Sequence, residues 1–209
     1  KRLLFDPFIL GNPLAKEVDI EAIKPDYIFL SHGHGDHVGD VLQLATPSNA
    51  PAIGAFEVVS WLENRGMTGY HMNLGGKRKF DFGTVKMVQA IHSSMLPDGS
   101  YGANPAGFVI YNEESCFYFA GDTALTMDMK LIPMTCPALD FAILPIGDNF
   151  TMGYEDALIA SDFIQCSTII ACHFDSFPMI QIDHEKVKSV FHLRQKRIII
   201  PKINDVFTV

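Results

Sequence analysis

The sequence lacks the features that mark membrane-spanning, disulfide-stabilised and nucleic-acid-binding proteins. No apolar run approaches the roughly 18 to 20 residues that cross a bilayer, so no membrane span is predicted. The four cysteines show no Cys-x-x-Cys spacing and no signal-like segment precedes them, which favours reduced thiols in a cytoplasmic protein. Acidic residues outnumber basic ones by 24 to 16, and phosphate neutralisation needs clustered Lys and Arg. No nucleic-acid partner is therefore expected.

Long linkers, repeats and low-complexity tracts are also lacking, which predicts one domain over residues 1–209. Apolar residues make up 48% of the chain and charged residues 19%, a composition that suits a substantial buried core. The sequence starts at Lys1, without methionine and inside a segment of strand character, so we expect an N-terminal piece to precede it. Oligomeric state is not specified, and a homo-oligomer is left open.

Short apolar runs bounded by turn residues predict strands that occur first as hairpins and then alternate with helices. This order predicts an α/β fold of two sheets packed together with helices outside. The proline of Thr46-Pro47 is expected to end the first long helix. The expected strands are 2–5, 27–30, 51–55, 79–82, 84–90, 108–112, 116–120, 141–144, 168–172, 198–200 and 206–209, and the expected helices are 19–23, 38–45, 56–64, 127–134, 153–165 and 183–193.

The segment 31–37, Ser-His-Gly-His-Gly-Asp-His, places four potential metal ligands within six residues, directly after a strand-like apolar run. Imidazole nitrogens and carboxylate oxygens are ligands of Zn²⁺ and related divalent ions. The spacing indicates two sites, because His32 and His34 project together from a strand end while Asp36 and His37 lie a step further on. An internal position after a strand argues against a tag-like or flexible histidine tract.

Three outlying residues complete this pattern: His92, Asp122 and His173 each follow a predicted buried strand. Polar residues at strand ends are the usual location of sites in layered α/β folds. Each residue alone has a simpler explanation, and Asp122 could cap a helix. Their combination with segment 31–37 makes coincidence unlikely and predicts that all seven residues belong to one metal centre.

These residues, in this order, resemble the metallo-β-lactamase superfamily, as does Asp6 at the end of an early strand. Four segments, 4–8, 31–37, 104–108 and 121–123, resemble more narrowly the bacterial and archaeal UPF0173 group of metal-dependent hydrolases. That group is similar to the ascorbate-phosphate lactonase and N-acyl-phosphatidylethanolamine phospholipase branches. The resemblance implies an αββα sandwich with two metal ions between the sheets. Family members begin with a β-hairpin, and the sequence starts after it.

Carried over by position, the resemblance also implies a ligand set and an orienting role for Asp6. The ions are expected to be Zn²⁺, with Mn²⁺ and Fe²⁺ open because His and Asp ligands suit all three. The implied ligands are His32, His34 and His92 for the first metal, Asp36, His37 and His173 for the second, and Asp122 as a bridge between them.

The implied reaction is hydrolysis of a lactone, amide or phosphoester by a hydroxide that bridges the two metals. Asp36 and Asp122 are then the carboxylates of the catalytic centre. Two divalent ions, these carboxylates and a hydroxide leave a small net positive charge, which suits a small anionic or strongly polarised substrate. No covalent intermediate is expected, because histidines committed to metal cannot activate a neighbouring Ser or Cys.

Residues outside the ligand set carry weaker expectations. His71 and Asn104 are candidate substrate-binding residues, and His184 is expected on the surface. The Gly- and Pro-containing segment 93–107 is expected to cover the substrate, and segment 148–153 to form a wall of the pocket.

Other functions use the same motif. A di-iron oxidoreductase would resemble His-x-Glu-x-Asp-His, but position 34 is His. A tRNA-processing nuclease is disfavoured by the acidic balance and by the lack of a long basic arm. A non-catalytic metal-binding protein is disfavoured because the full ligand set is present.

Overall fold

The computed structural model describes residues 1–209 and arranges them in two packed sheets. The first sheet consists of four strands that pair in chain order, each parallel to the next. They are β1 (Leu3–Phe5), β2 (Tyr27–Leu30), β3 (Ala52–Ala55) and β4 (Gly69–Met72).

The second sheet has seven strands, and every strand lies beside its neighbour in sequence. They are β5 (Lys77–Phe80), β6 (Gly83–Gln89), β7 (Ala106–Tyr111), β8 (Cys116–Phe119), β9 (Phe141–Pro145), β10 (Thr168–Cys172) and β11 (Arg197–Ile199). Strands β5 to β8 pair antiparallel as hairpins, and β8 to β11 pair parallel. The hairpins are consecutive, whereas the parallel strands are joined by helices, as parallel pairing requires long crossover connections.

The helices lie between or after these strands, and none has the length and apolar character needed to span a bilayer. Three short 3₁₀ segments accompany them, at Ile20–Ala22, Met127–Leu131 and Pro178–Ile180. The α-helices are α1 (Gly35–Val38), α2 (Val41–Ser48), α3 (Phe56–Glu63), α4 (Ile132–Thr135), α5 (Tyr154–Phe163) and α6 (His184–Leu193).

Two hydrophobic cores define the layers. The first joins α2 and α3 to the first sheet and the first sheet to the second, and the second joins the opposite face of the second sheet to α5 and α6. Strand β7 contributes to both because alternate side chains point to opposite faces: Phe108 and Ile110 enter the first core and Val109 the second. The two-sheet α/β architecture predicted from the sequence is therefore confirmed, with helices on both outer faces.

The helix predicted over residues 38–45 is wrong in both its bounds. Segment 35–48 forms α1 and α2, and α2 continues through Pro47 to Ser48. Thr46 Oγ1 donates to the carbonyl of Leu42 at 2.7 Å and Ser48 Oγ to that of Leu44 at 3.0 Å. These hydroxyls bond carbonyls of the last turns of the helix, which continues past the proline and ends at Asn49 in the left-handed conformation.

The strand predicted over residues 206–209 is also wrong. This segment follows no sheet edge, and Val206 is 98% exposed. Without a neighbouring strand, the backbone N–H and C=O groups of an apolar segment have no hydrogen-bond partners, and its apolar side chains have no surface to pack against. Conversely, β4 was not predicted, because Gly69–Met72 lacks a clear alternation and forms through its pairing with β3. The single helix predicted over 127–134 is a 3₁₀ segment followed by α4.

We expect Tyr118→Phe to leave the protein unchanged or to stabilise it by about 1 kcal/mol. Tyr118 is fully buried in the second core, and its hydroxyl has no hydrogen-bond partner. Removing an unsatisfied polar group removes its desolvation penalty while the ring packing stays. Thermal or urea denaturation of the two proteins measures the difference. A loss of stability above about 1 kcal/mol would show that the hydroxyl has a partner in solution.

Candidate metal centre

The strand ends bring the predicted ligands together at one edge of the sandwich. Segment 31–37 follows β2 in the first sheet and forms the first turn of α1. His92, Asp122 and His173 follow β6, β8 and β10, which run in the same direction in the second sheet. All seven predicted ligands are contributed from these strand ends, and loops at such edges form the binding sites of layered α/β folds.

The first group of ligands is His32, His34 and His92. One ring nitrogen from each lies within 4.8 Å of the others. His32 Nε2 lies 2.9 Å from His34 Nδ1, and the His92 ring centroid lies 5.1 Å and 5.2 Å from those of His32 and His34. Three converging imidazoles form a common divalent-metal ligand set.

The second group is Asp36, His37 and His173, whose ligand atoms also lie within 4.8 Å of one another. Asp36 Oδ2 is 3.5 Å from His37 Nε2 and 3.9 Å from His173 Nε2. His37 is buried, and the other two are partly exposed to the cavity described below. This group has the mixed nitrogen and oxygen ligands that Zn²⁺, Mn²⁺ and Fe²⁺ accept.

Asp122 connects the two groups. Its Oδ2 lies 3.1 Å from His173 Nε2 and 3.4 Å from His37 Nε2, both of the second group. The same oxygen is 3.6 Å from His92 Nε2 of the first group. Asp122 is 4% exposed, and Gly121 before it has a φ of +63°, where a side chain would collide with Ser31. The tight approach at Gly121 therefore places the carboxylate between the two groups.

Asp6 and Ser31 hold the histidines from the outer side. Asp6 accepts hydrogen bonds from the Ser31 backbone N–H at 2.8 Å and from the Ser31 hydroxyl, whose oxygen is 2.9 Å from His32 Nδ1. Asp6 Oδ2 also lies 3.0 Å from His37 Nδ1, although without full hydrogen-bond alignment. In both histidines the Nε2 atom is thereby turned toward the cluster, which is the usual role of outer-sphere partners.

Replacing Asp6 with alanine is expected to lower metal affinity and kcat/KM by about 10- to 100-fold, because His32 and His37 both lose the group that orients them. Metal titration and steady-state kinetics measure the two effects. Ser31→Ala is the matched comparison and should cost less, since Asp6 still contacts His37. Full affinity and activity in Asp6→Ala would contradict the orienting role.

His32 and His92 of the first group are in the protonation state that binds metal. Burial and the neighbouring His37 charge lower the pKa of His32 to about 2. Burial also lowers the pKa of His92. Both rings are therefore neutral and present nitrogen lone pairs, which is the form that binds metal.

In the second group, the carboxylates of Asp6, Asp36 and Asp122 favour a positive charge on the neighbouring histidines. Burial opposes a proton on His37, but the Asp6 charge and hydrogen bonds to Asp122 and Asp36 raise its pKa well above the usual value. The pKa of His173 is raised against burial by its hydrogen bond to Asp122. Burial in turn raises the pKa of Asp122, yet the hydrogen bonds from these histidines outweigh it and lower that pKa well below the usual range. The carboxylates thus stay ionised and attract a cation, and this donor set of imidazole nitrogens and carboxylate oxygens fits divalent metal.

Two cavities meet at this cluster. The front cavity, of about 630 Å³, borders both ligand groups and Asp122. The second cavity, of about 660 Å³, borders only the second group, Asp122 and Asp6. Phe8 and Phe177 line both, with ring centroids 5.6 Å apart. Besides ligand residues, the front cavity is lined by Phe8, Gly35, Ser93, Phe150, Phe177 and Met179.

The structure does not bring His71 or Asn104 into the cluster. His71 Nε2 lies 3.1 Å from Glu63 and 3.2 Å from Ser60 Oγ, and its ring packs on Phe56. Asn104 is exposed and accepts a hydrogen bond from the Tyr101 hydroxyl at 3.0 Å. Neither residue lines the front or the second cavity. Their proposed contact with substrate stays a prediction with no support from these positions.

The two predicted pocket loops reach the cluster to different extents. Segment 148–153 lines the front cavity through Phe150, whereas segment 93–107 reaches it only through Ser93. His184, expected on the surface, is 43% exposed in its side chain and pairs with Asp175 at 2.6 Å beside the second cavity. Sequence reasoning missed Phe177 and Met179, because no pattern in a short loop indicates which side chains line a cavity.

Comparison with known proteins points to one family. The family model described as the beta-lactamase superfamily domain matches residues 1–174. A UPF0173 metal-dependent hydrolase of Flavobacterium johnsoniae is 52% identical over 205 residues, 98% of this chain and 91% of the relative. Another, from Bacillus anthracis, is 46% identical over 188 residues, 88% of this chain and 82% of that protein.

Solved structures agree in fold. Igni18, a metallo hydrolase from Ignicoccus hospitalis, has a TM-score of 0.84 at 29% identity and covers 96% of this chain and 87% of its own. An isothiocyanate hydrolase from Delia radicum gut bacteria has a TM-score of 0.75 at 20% identity, covering 95% and 88% of the two chains. The second similarity concerns the fold alone.

Proposed function

The chain belongs to the UPF0173 metal-dependent hydrolases of the metallo-β-lactamase superfamily, and from this membership we propose that it uses two divalent metal ions to hydrolyse a small molecule. The bond cleaved is a lactone, an amide or a phosphoester. The observation that supports two ions is the position of Asp122, whose Oδ2 lies within 3.6 Å of ring nitrogens from both ligand groups.

The proposed ligand sets follow the two groups. His32, His34 and His92 hold one ion, and Asp36, His37 and His173 hold the other. Asp122 contributes to both. Zn²⁺ suits this set best, and Mn²⁺ and Fe²⁺ are also compatible with it. When bound, such ions supply an activated hydroxide near neutral pH and polarise the oxygen of the scissile group.

The protein's own residues prepare the site for that chemistry. Asp6 and Ser31 fix the rings of His32 and His37, so that the ligand nitrogens need not reorganise during the reaction. Phe8 and Phe177 pack against each other and line both cavities, so that apolar rings border the cluster.

The front cavity does not favour a nuclease. No Lys or Arg lines it, whereas a polynucleotide carries several phosphates beside the one that reacts. The net charge of −8 points the same way. A small molecule is therefore the better-supported substrate.

A screen of three probes tests the proposal: δ-valerolactone, p-nitroacetanilide and bis(p-nitrophenyl) phosphate, each with metal-loaded protein. We expect hydrolysis of at least one of them, and the responsive probe identifies the class of bond. The absence of hydrolysis with all three, in protein shown to carry metal, would contradict the proposed reaction.

A further inference from the structure

The front cavity carries an apolar rim around the ligand cluster. The rim consists of Phe8, Phe150, Phe177 and Met179. Phe150 is 46% exposed and Met179 62%, so large apolar side chains face solvent directly beside strongly polar ligands. Exposed apolar groups concentrated in this way mark binding surfaces.

Phe8 is held in the rim by a buried aspartate. Asp40, 7% exposed, accepts hydrogen bonds from the backbone N–H groups of Ile9 at 2.6 Å and Leu10 at 2.9 Å. These bonds fix the loop after β1 against the start of α2. The ring of Phe8 is thereby placed against Phe177 rather than left free in a mobile loop.

Phe150 is presented by a turn with unusual backbone conformation. Asp148 and Asn149 both have positive φ, at 61° and 56°, although neither is glycine. The base of the turn is attached to the ligand cluster, because the Met152 N–H donates to the carbonyl of Thr123 at 2.9 Å, next to Asp122. Strained backbone of this kind is concentrated at ligand-binding positions.

Phe177 and Met179 lie in a loop that Asp175 holds at both ends. Asp175 Oδ1 accepts the Ile182 N–H at 3.0 Å, and its backbone N–H donates to the carbonyl of Ile180 at 2.8 Å. Its other carboxylate oxygen pairs with His184 at 2.6 Å. All three rim loops are therefore fixed by an aspartate or by bonds to the cluster, which pre-organises the rim for binding.

The charged residues that line the front cavity restrict the class of ligand further. Its only ionisable lining residues are members of the metal-ligand set, and no Lys or Arg accompanies them. Away from the metal-ligand set itself, an extra carboxylate or phosphate would have no partner and would have to be desolvated against aromatic rings. The lining therefore favours a neutral substrate over the anionic one that the charge of the metal cluster suggested. The front cavity is also the one of the two large cavities that borders both ligand groups.

We infer that the enzyme acts on a neutral, apolar substrate, with an aromatic or short aliphatic group beside the scissile bond bound by Phe8, Phe150, Phe177 and Met179. This inference rests on the proposed function, since it concerns the substrate of the same cluster. The volume of about 630 Å³ is in the range of small-molecule pockets. Phe150 and Phe177 are specificity-determining residues in this account, and Asp40 and Asp175 are positioning residues.

A matched pair of metal-binding ligands tests the inference by calorimetry, without any turnover. Benzohydroxamate and 4-carboxybenzohydroxamate share the metal-binding head and differ by one carboxylate. With zinc-loaded protein we expect the neutral ligand to bind at least about tenfold more tightly. Phe150→Ala and Phe177→Ala should each weaken benzohydroxamate binding about three- to tenfold, and Phe150→Lys should remove or reverse the preference.

Phe56→Ala is the matched control, because Phe56 is exposed but lies outside both cavities, and it should bind both ligands as the wild type does. Equal or tighter binding of the carboxylate ligand by wild type would overturn the inference, as would failure of both ligands to bind. A clear preference for benzohydroxamate in protein that hydrolyses none of the three probes would instead contradict the proposed function and leave the apolar site in place.

Discussion

Asp122→Ala should lower kcat/KM by at least about 1000-fold on any substrate of this enzyme. The carboxylate lies between the two ligand groups, with its Oδ2 at 3.1 to 3.6 Å from three histidines. Its loss removes a proposed shared ligand and the carboxylate nearest to His173 Nε2, while His37 keeps Asp6 and Asp36 beside it. Steady-state kinetics on the responsive probe measures the loss, and metal analysis shows whether one ion or both leave with it.

Two further variants separate chemistry from folding. Asp122→Asn keeps the shape of the side chain but removes its charge, and we expect it to be nearly as inactive as alanine. Asp156→Ala removes an exposed aspartate on α5 and should retain wild-type activity. If folded Asp122→Ala kept more than about a tenth of the wild-type activity, the proposal that Asp122 is required for catalysis would be contradicted.

Removal of divalent ions with a chelator should reduce hydrolysis to below about 1%, and added Zn²⁺ should restore it. The neutral histidines of the first group cannot by themselves activate water as a bound metal does. The same treatment should lower the melting temperature. An ion that binds only the folded state stabilises it by about 2.7 kcal/mol when the free ion concentration is 100 times the Kd. Activity and thermal denaturation are measured on the same samples.

Chelator already saturated with Zn²⁺ is the control for that experiment and should leave both quantities unchanged. Activity that survives complete metal removal, verified by elemental analysis, would contradict a metal-dependent reaction at this cluster. A melting temperature that is insensitive to metal would show that the ligand set does not bind ions tightly in solution.

The sequence predicted which residues converge in the cluster better than it predicted the bounds of several strands and helices or the residues that line the cavities. Segment 31–37 lies where its strand was expected to end, since β2 is observed at Tyr27–Leu30 as predicted. His92, Asp122 and His173 were found by one rule, that a buried strand delivers a polar residue to its end. The structure brings all seven predicted ligands together because the strands that precede His92, Asp122 and His173 run in the same direction.

Where prediction failed, the deciding interaction was not local. Strand β4 exists through its pairing with β3, and the apolar segment 206–209 forms no strand because no edge accepts it. Helix α2 passes Pro47 and ends only at Ser48, which the local sequence signal of a proline did not indicate. His71 pairs with Glu63 outside both cavities, and its role in substrate binding stays a prediction.

The apolar rim is a further case. Phe8 and Phe177 are far apart in sequence, and nothing in either loop indicates that their ring centroids lie 5.6 Å apart beside the cluster. The aspartates that fix these loops are equally hard to recognise, since Asp40 and Asp175 bond backbone groups whose positions depend on the fold. The proposed substrate preference therefore rests on the structure and not on the sequence.

The number of metal ions bound per chain tests the two-ion cluster most directly. Purified wild-type protein, saturated with Zn²⁺ and desalted, should contain close to two ions per chain by inductively coupled plasma mass spectrometry. His92→Ala and His173→Ala each remove one ligand of a different group and should each retain close to one ion. A wild-type protein with no ion or only one, or two variants that both keep two, would contradict the two-ion site.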